Sequence, residues 1–379
     1  MILFLLLKPF YFLVSIATHS IVLNWMLFTK ASLIVLVLAY CSILAECSFD
    51  QAFEEYIRKH YPKNMPSPSR RKRMLISTTR GTIGLGNRML AHASALALAI
   101  MHDYSFHVHS PDVDLEEIFS LPDLRMIIKP EQFNKLFKRN RYNGTVLHLD
   151  TSHDARDSDW EQITCGDGKF TADAVIVNGG QYFVPLLVLK DELFFRRTFL
   201  DLSMVYALIA KRLFQPSLSV TALIPENKHI LGIQLRSFKL RYDPDQDRQV
   251  LKCLESKSLI ANDNGSVFVA SLYPEHSEAL KTRLKGATIK TISSFKRQSN
   301  TVEQYKYALA EMYTLAYSDT LLVSPYSTFG YQAVALKSSP KDTYSLDVRL
   351  ACRQVDTVEP CFHRAPTKLS CVDMKKMKS

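Results

Sequence analysis

Asp319-Thr-Leu-Leu-Val-Ser-Pro-Tyr-Ser-Thr-Phe-Gly-Tyr-Gln-Ala-Val-Ala-Leu336 is the stretch that most directly indicates the fold of this chain. Its first half is short and apolar and ends at Pro325, which predicts a buried strand. Ser327 and Thr328 then open a helical segment, and hydroxyls at a helix start bond free backbone N–H groups. Those N–H groups also attract anions, and Gly330 lets a ligand approach the backbone. The pattern predicts a phosphate cradle; an ordinary capped helix is the alternative.

The same order of strand, turn and helix recurs earlier in the chain. Met74 to Ser77 predicts a strand, a glycine-rich turn spans Gly81 to Gly86, and Ala91 to Ile100 predicts a helix rich in Ala and Leu. Ser105 to His109 predicts a second strand, so the β-α-β order indicates a parallel sheet. The glycines do not have the spacing of the dinucleotide-binding fingerprint.

The C-terminal half predicts a second unit of the same kind. His229 to Arg236 is an apolar run typical of a buried strand, and Arg236 stands at its carboxyl end. Open α/β sheets bind ligands at that edge, and an arginine there can bind a phosphate through two N–H groups. A solvated arginine at a strand end is the alternative. The remaining alternation is predicted from strands at Ser266–Leu272 and Thr288–Ile292 and helices at Glu275–Leu284 and Thr301–Tyr317.

Between these two predicted halves the pattern of strands and helices is less regular. Val146 to Asp173 is polar and predicts a loop, whereas Leu186 to Phe214 predicts a helical connection. Two Asp-x-Asp sequences, Asp112–Asp114 and Asp243–Asp245, have the form of a cation site in a metal-dependent transferase. Because the first precedes a short helical pattern, we expect one of its aspartates to be a helix cap and predict no metal.

The N-terminus predicts a membrane anchor. Ala31 to Ala45 carries no charge, and Lys8 and Lys30 place the preceding segment in the cytosol. A cleaved signal peptide is the alternative, but no small-residue cleavage site follows Cys47. We therefore predict a cytosolic segment, a transmembrane helix and a stem at residues 1–30, 31–46 and 47–74.

Cysteines, glycosylation sequences and charge agree with a secretory lumen. Cys165, Cys253, Cys352, Cys361 and Cys371 do not have metal-site spacing, so they indicate disulfides whose pairing stays open. Asparagine-linked glycosylation sequences occur at Asn143 and Asn264. The net charge of +10 suits an anionic substrate, and the chain has no nucleic-acid motif.

Taken together, these motifs resemble the plant-type fucosyltransferases. The best-known members of that family, the xyloglucan fucosyltransferases, add fucose in α-1,2 linkage to galactose. The motifs lie in the family's order between Leu75 and Cys371, and the segments that carry the resemblance are Gly84–Ser94, Gln181–Pro185, Leu231–Arg236, Ser271–Tyr273, Ala310–Met312, Ser327–Tyr331 and Glu359–His363.

The resemblance implies an α/β fold of the GT-B type with two Rossmann-like halves. Residues 75–220 would form the acceptor-side half, and residues 221–379 would form the half that binds GDP-fucose. Fucose transfer would be inverting and would need no metal or cofactor, with Arg236 as the catalytic cation. The implied donor-binding residues are Gly84, Gly86, Asn87, Arg88, Gln234, Arg236, Ser327, Thr328, Phe329, Gly330 and Tyr331.

The expected biology is that of a single-pass type II Golgi membrane protein with a luminal catalytic domain. The acceptor would be a galactose residue of a cell-wall polysaccharide or glycoprotein. Alternatives are another acceptor for the same donor, or a non-catalytic, membrane-anchored glycan-binding protein with the same fold. No general base is assigned. The conceivable ones are Asp112, Asp114, Glu303, Glu311, Glu359 and His363, of which Glu311 and Glu359 are expected to be structural.

Overall fold

The computed structural model describes residues 49–64, 73–79, 81, 83–138, 142–152, 155–164, 170–226, 229–239, 241–259, 265–292, 299–347 and 351–360. The chain divides into two units, Met1–Gln51 and Ala52–Ser379, and the second unit contains both sheets. Within the described ranges, no helix is both long enough and apolar enough to cross a membrane. The predicted cytosolic segment and transmembrane helix, residues 1–30 and 31–46, lie outside those ranges.

A four-stranded sheet in the order β2-β1-β4-β3, with every neighbouring pair parallel, forms the first half of the second unit. Every residue of β1 and β2 is buried, as is typical of parallel strands covered on both faces. A long helix, α1, connects these two strands, so the predicted β-α-β unit is confirmed. The bounds are Met74–Thr78 (β1), Leu85–His102 (α1), Ser105–His109 (β2), Val146–Thr151 (β3) and Ala174–Gly179 (β4).

A six-stranded sheet in the order β10-β9-β8-β5-β6-β7 forms the second half. Its strands are parallel except for β10, which pairs antiparallel with β9 at the edge. The stretch Asp319–Leu336 supplies β8, as expected, and β8 lies directly beside β5. The strands are Leu231–Leu235 (β5), Ser266–Ser271 (β6), Thr288–Lys290 (β7), Thr320–Val323 (β8), Thr343–Asp347 (β9) and Ala351–Gln354 (β10).

Helices cover both sheets and connect their strands. The predicted helical connection is divided into three helices, α4 to α6. After α1, the α-helices in chain order are Pro130–Phe133 (α2), Asp157–Thr164 (α3), Val184–Lys190 (α4), Glu192–Phe199 (α5), Val205–Leu213 (α6), Leu218–Thr221 (α7), Pro244–Ser256 (α8), Pro274–Arg283 (α9), Val302–Ala316 (α10) and Thr328–Lys337 (α11).

The loop predicted for residues 146–173 was wrong in two of its described parts, whereas residues 170–173 adopt neither helix nor strand, as predicted. Val146–Thr151 is the edge strand β3, and Asp157–Thr164 is helix α3. Several side chains of β3 are exposed or half-buried, whereas those of β2, the other edge strand of this sheet, are all buried. Without full burial, β3 lacks the continuous apolar run that identified β1 and β5.

Part of the predicted stem packs against the first sheet. Residues 52–60 are helical, and the Tyr56 hydroxyl donates to the Tyr104 carbonyl at 2.7 Å and accepts from the Phe106 N–H at 2.8 Å. Burial raises the pKa of Tyr56 above its ordinary value, so the hydroxyl stays neutral. The boundaries between stem and halves stay a prediction.

Cys253 on α8 and Cys352 on β10 form a disulfide, with a sequence separation of 99 residues. Cys165, Cys361 and Cys371 lie outside the described residues. The bond fastens the edge strand to the helix that covers the sheet, and both cysteines are buried in the apolar core of this half.

Removing this disulfide is expected to lower the free energy of unfolding by about 4–5 kcal/mol, because the unfolded chain loses a long-loop constraint. Urea unfolding of the Cys253→Ala, Cys352→Ala double variant measures the change. A midpoint equal to that of the wild-type protein would contradict this role.

Candidate functional site

A cavity of about 540 Å³ opens at the carboxyl ends of β5, β6 and β8. Its volume suits a small-molecule site, for which about 300–1,000 Å³ is usual. The chain order of the sheet reverses at β5, and ligands of open α/β sheets bind at such a switch point. The residues that line it are Ile83, Gly84, Leu85, Gly86, Asn87, Gln234, Leu235, Arg236, Phe238, Ala270, Ser271, Leu272, Ser299, Gln304, Tyr305, Tyr307, Ala308, Glu311, Tyr326, Ser327, Thr328 and Phe329.

Two helix N-termini, one from each half, meet in this cavity. Helix α1 follows Gly84, which has no side chain to cap it, and helix α11 follows Ser327, whose side chain does not make the capping bond. The two starts are in contact, since a Cβ added at Gly86 would lie 3.0 Å from the Thr328 hydroxyl oxygen. Uncapped first-turn N–H groups and two positive dipole ends therefore face one volume, which favours an anion there.

Arg236 lies at the end of β5, where backbone contacts hold it. Its N–H donates to the Ser324 hydroxyl at 2.9 Å, and its carbonyl accepts from the Gln246 side-chain amide at 2.8 Å. Ser324 follows β8, so neighbouring strand ends hold this residue from one side. A half-buried guanidinium beside the two helix starts completes a positively polarised cavity.

The wall between the two halves depends on buried polar contacts. The Gln332 amide on α11 donates to the Gly86 carbonyl at 3.0 Å, and its oxygen accepts from the Tyr206 hydroxyl. The Tyr206 N–H donates to the Glu359 carboxylate at 2.7 Å, and that carboxylate also accepts from the Tyr182 hydroxyl. Burial raises the pKa of both tyrosines well above the ordinary value, and the Glu359 charge acts in the same direction. Glu359 thus has the structural role expected of it.

Arg88 was expected to contact the donor, but its side chain lies behind the cavity wall. It is 1% exposed and pairs with Asp112 at 2.7 Å. Its remaining N–H groups donate to the hydroxyls of Thr79 and Ser110 and to the carbonyls of Gly81 and Ile83. A guanidinium with this many protein acceptors organises the turn before α1.

Helix α1, which follows this turn, contains a buried, neutral histidine. Burial, and then the charge of Arg88, lower the pKa of His92 to about 3. Its Nδ1 lies 2.8 Å from the Ser77 hydroxyl. At neutral pH His92 is therefore uncharged, and Arg88 is the charged member of this buried pair.

Gly330 and Tyr331 were also expected at the donor, and neither lines the cavity. A Cβ at Gly330 would lie 2.8 Å from the Gln234 side-chain oxygen and 2.9 Å from the Val323 Cβ. The close approach that this glycine permits is therefore made by protein atoms. Tyr331 is buried, and its hydroxyl accepts from the Tyr326 N–H at 3.3 Å.

The other predicted donor residues do share the cavity. Their contacts with a donor stay a prediction, but the structure brings Gly84, Gly86, Asn87, Gln234, Arg236, Ser327, Thr328 and Phe329 together. The Asn87 side-chain oxygen is buried and has no hydrogen-bond partner among the described residues. An unsatisfied buried acceptor in a cavity wall is suited to a ligand donor group.

Sequence reasoning missed much of one wall. Gln304, Tyr307, Ala308 and Glu311 face the cavity from α10 at helical spacing, and Phe238 and Tyr326 come from the loops after β5 and β8. The helical spacing of the residues on α10 can be read from the sequence. That spacing does not predict which face of a helix contacts a ligand and which packs in the core.

The conceivable bases are dispersed. Asp112 pairs with Arg88, and Glu303 lies exposed in the first turn of α10. Asp114 accepts from the Glu116 N–H, which confirms the expected helix cap. Of the carboxylates considered, Glu311 alone lines the cavity, although a structural role was expected for it. His363 lies outside the described residues.

Neither Asp-x-Asp sequence was expected to bind a metal. The second Asp-x-Asp sequence is also a cap, because Asp243 accepts from the Asp245 N–H at the start of α8. In the described part of the chain, no three His, Cys, Asp or Glu side chains are placed to hold a metal ion. That the reaction needs no metal stays a prediction.

Comparison with known sequences finds fucosyltransferases of plants among the relatives of this chain. A family model described as xyloglucan fucosyltransferase matches residues 240–371. Fucosyltransferase 6 of Arabidopsis thaliana is 28% identical over 354 residues, which cover 76% of this chain and 65% of that protein. The galactoside 2-alpha-L-fucosyltransferase of Pisum sativum is 26% identical, over 75% of this chain and 61% of that protein. The chain thus spans less than two thirds of the length of these relatives.

Comparison with solved structures confirms the two-sheet, GT-B fold. A mutant of Arabidopsis thaliana FUT1 in complex with GDP superposes with a TM-score of 0.63 at 23% identity, over 88% of this chain and 86% of that chain. The alpha-1,6-fucosyltransferase NodZ, soaked with GDP-fucose, gives 0.51 at 13% identity, over 76% of this chain and all of that chain. At these identities the likeness is one of fold.

Proposed function

Because this chain belongs to the plant-type fucosyltransferase family, we propose that it transfers fucose from GDP-fucose to a galactose residue of a glycan. The transfer is inverting and metal-independent and forms an α-1,2 linkage, and the acceptor is a cell-wall polysaccharide or glycoconjugate. One observation carries the proposal: Arg236 and two uncapped helix starts share a single cavity at the switch point of the sheet.

The donor pyrophosphate occupies the positively polarised part of this cavity. When the bond between fucose C1 and the β-phosphate oxygen breaks, the electron pair stays on that oxygen, and negative charge grows there. Arg236 supplies a cation, and the first-turn N–H groups of α11 at Thr328 and Phe329 supply fixed donors. Donors already in place need no reorganisation as the charge develops, which is why they stabilise the transition state.

The acceptor hydroxyl attacks C1 from the face opposite to GDP, so the configuration at C1 inverts. The products are the fucosylated glycan, GDP and a proton. The buried Asn87 oxygen, for which no described residue is a hydrogen-bond partner, is available to accept from a sugar hydroxyl on the α1 side of the cavity.

We further propose that the protein is a single-pass type II Golgi membrane protein with this domain in the lumen. Three features support that location. The charge-free segment Ala31–Ala45 follows Lys30, Cys253 and Cys352 are disulfide-bonded, and Asn143 of a glycosylation sequence is exposed.

The test is acceptor-dependent release of GDP by the detergent-solubilised full chain. GDP-fucose is supplied with EDTA and a panel of galactose-terminated and other glycans. We expect release that survives EDTA, is fastest with a galactose-terminated acceptor, and yields an α-1,2-linked product by NMR. Release abolished by EDTA would contradict the metal-free transfer, and release with no acceptor on the panel would contradict the acceptor class.

A further inference from the structure

Two aromatic side chains stand exposed at the cavity. Phe238 and Tyr326 both line it, and each is 62% exposed. Aromatic side chains are common in the walls of ligand cavities, and covering them with a ligand removes apolar surface from water. Their exposure leaves both rings available to a ligand.

The two rings come from neighbouring parts of the wall. Strand β5 pairs with β8 so that Gln234 lies opposite Val323. Phe238 lies four residues beyond the first of these, and Tyr326 lies three residues beyond the second. The loops that carry the rings therefore leave adjacent strands at the same edge of the sheet.

The backbone at Tyr326 is held in an unfavourable conformation. Its φ is 58°, in the left-handed region that bulky side chains rarely adopt. Such strain persists where the surroundings enforce it, and it concentrates at ligand sites. Here the Tyr326 N–H donates to the Tyr331 hydroxyl, so a buried side chain helps to maintain the turn that presents the ring.

We propose that Phe238 and Tyr326 form an aromatic platform for the acceptor sugar, a galactopyranoside that lies with its apolar face on the rings. This inference rests on the proposed function. One face of galactose carries several C–H groups, whose partial positive charge suits the negative face of an aromatic ring. The rest of the sugar remains free to bond polar groups and solvent.

Their position favours the acceptor over the donor. Phe238 follows Arg236 by two residues and Tyr326 directly precedes Ser327, so both flank the groups assigned to the pyrophosphate. Because both rings are more than half exposed, they belong to the solvent side of the cavity. A glycan that extends into solvent enters from that side.

The experiment compares Phe238→Ala, Tyr326→Ala and the full-length wild-type protein. For each we measure the Kd for GDP, acceptor-free hydrolysis of GDP-fucose, and the KM for a β-galactoside acceptor. Removal of either ring is expected to raise the acceptor KM by about tenfold or more. The Kd for GDP is expected to stay within about twofold of that of the wild-type protein. Phe238→Tyr and Tyr326→Phe, which keep a ring, are expected to restore the acceptor KM.

Two further variants separate binding from folding. Tyr326→Gly removes the ring and relieves the positive φ, so it is expected to raise the acceptor KM without lowering the unfolding temperature. Tyr317→Ala removes a tyrosine that is 54% exposed and does not line the cavity, and it is expected to change neither constant.

Two results would overturn the platform. One is an acceptor KM unchanged in both alanine variants; the other is a GDP Kd weakened in parallel with it, which would place the guanine on the rings. If the wild-type protein releases no GDP, the proposed function fails. In that case, calorimetry measures the affinity of a β-galactoside for the wild-type protein and for the alanine variants. A lower affinity in the variants supports the platform, and an unchanged affinity refutes it.

Discussion

Replacing Arg236 by alanine is expected to lower the rate of GDP release by about a hundred- to a thousandfold, which is the usual cost of losing one preorganised donor to a developing charge. Arg236 is the cation at the carboxyl end of β5, and its backbone is fixed by Ser324 and Gln246. The loss should appear in kcat more than in the KM for GDP-fucose, because the charge on the β-phosphate grows as the bond breaks.

Arg241→Ala is the matched control for this measurement. Arg241 is an exposed arginine five positions further along the same loop, and it does not line the cavity. Its replacement changes the net charge by the same amount and should leave GDP release within about twofold of wild type. A similar loss in both variants would show that a general effect of charge, rather than a donor contact, explains the result.

Replacing Arg88 by alanine is expected to lower the free energy of unfolding by about 3–5 kcal/mol, because a buried ion pair loses one partner and several acceptors lose their donor. The Arg88 side chain is 1% exposed, so solvent cannot substitute for it. Urea unfolding measures the change. The folded fraction of the variant should keep a Kd for GDP close to that of wild type, because this side chain does not line the cavity.

Asp112→Asn tests the same contact if the alanine variant does not fold. Asp112 is 30% exposed and is the charged partner of Arg88, so its neutralisation should cost less, about 1–3 kcal/mol. A donor contact at Arg88, the role expected from the sequence, predicts the opposite outcome: unchanged stability in Arg88→Ala and strongly weakened GDP binding.

Several elements of this fold were predictable because their signals are local. Met74–Thr78 and Leu231–Leu235 are short segments rich in apolar residues, Ser105–His109 alternates polar and apolar residues, and each of the three is a buried parallel strand. Helix α11 begins after Ser327, as the hydroxyl residues indicated, although the Ser327 side chain does not make the capping bond. Such patterns depend on neighbours in sequence and survive without tertiary information.

The errors share a different cause. Edge strand β3 has too few buried side chains to show an apolar run, and a turn with glycines does not reveal whether Arg88 faces a ligand or the protein behind it. Glu311 is similar, because its helical spacing fits both a core face and a cavity face.

The sequence by itself therefore determined much of the alternation of strands and helices, the strand end that carries Arg236, the helix start at Ser327, and the family resemblance. Only the tertiary structure decided the strand order that places β5 beside β8 and the contact between the halves through Gly86 and Gln332, which are 246 residues apart. It also decided which side chains face the cavity. The physical reason is that strand order and side-chain direction follow from packing between distant segments, which no local pattern encodes.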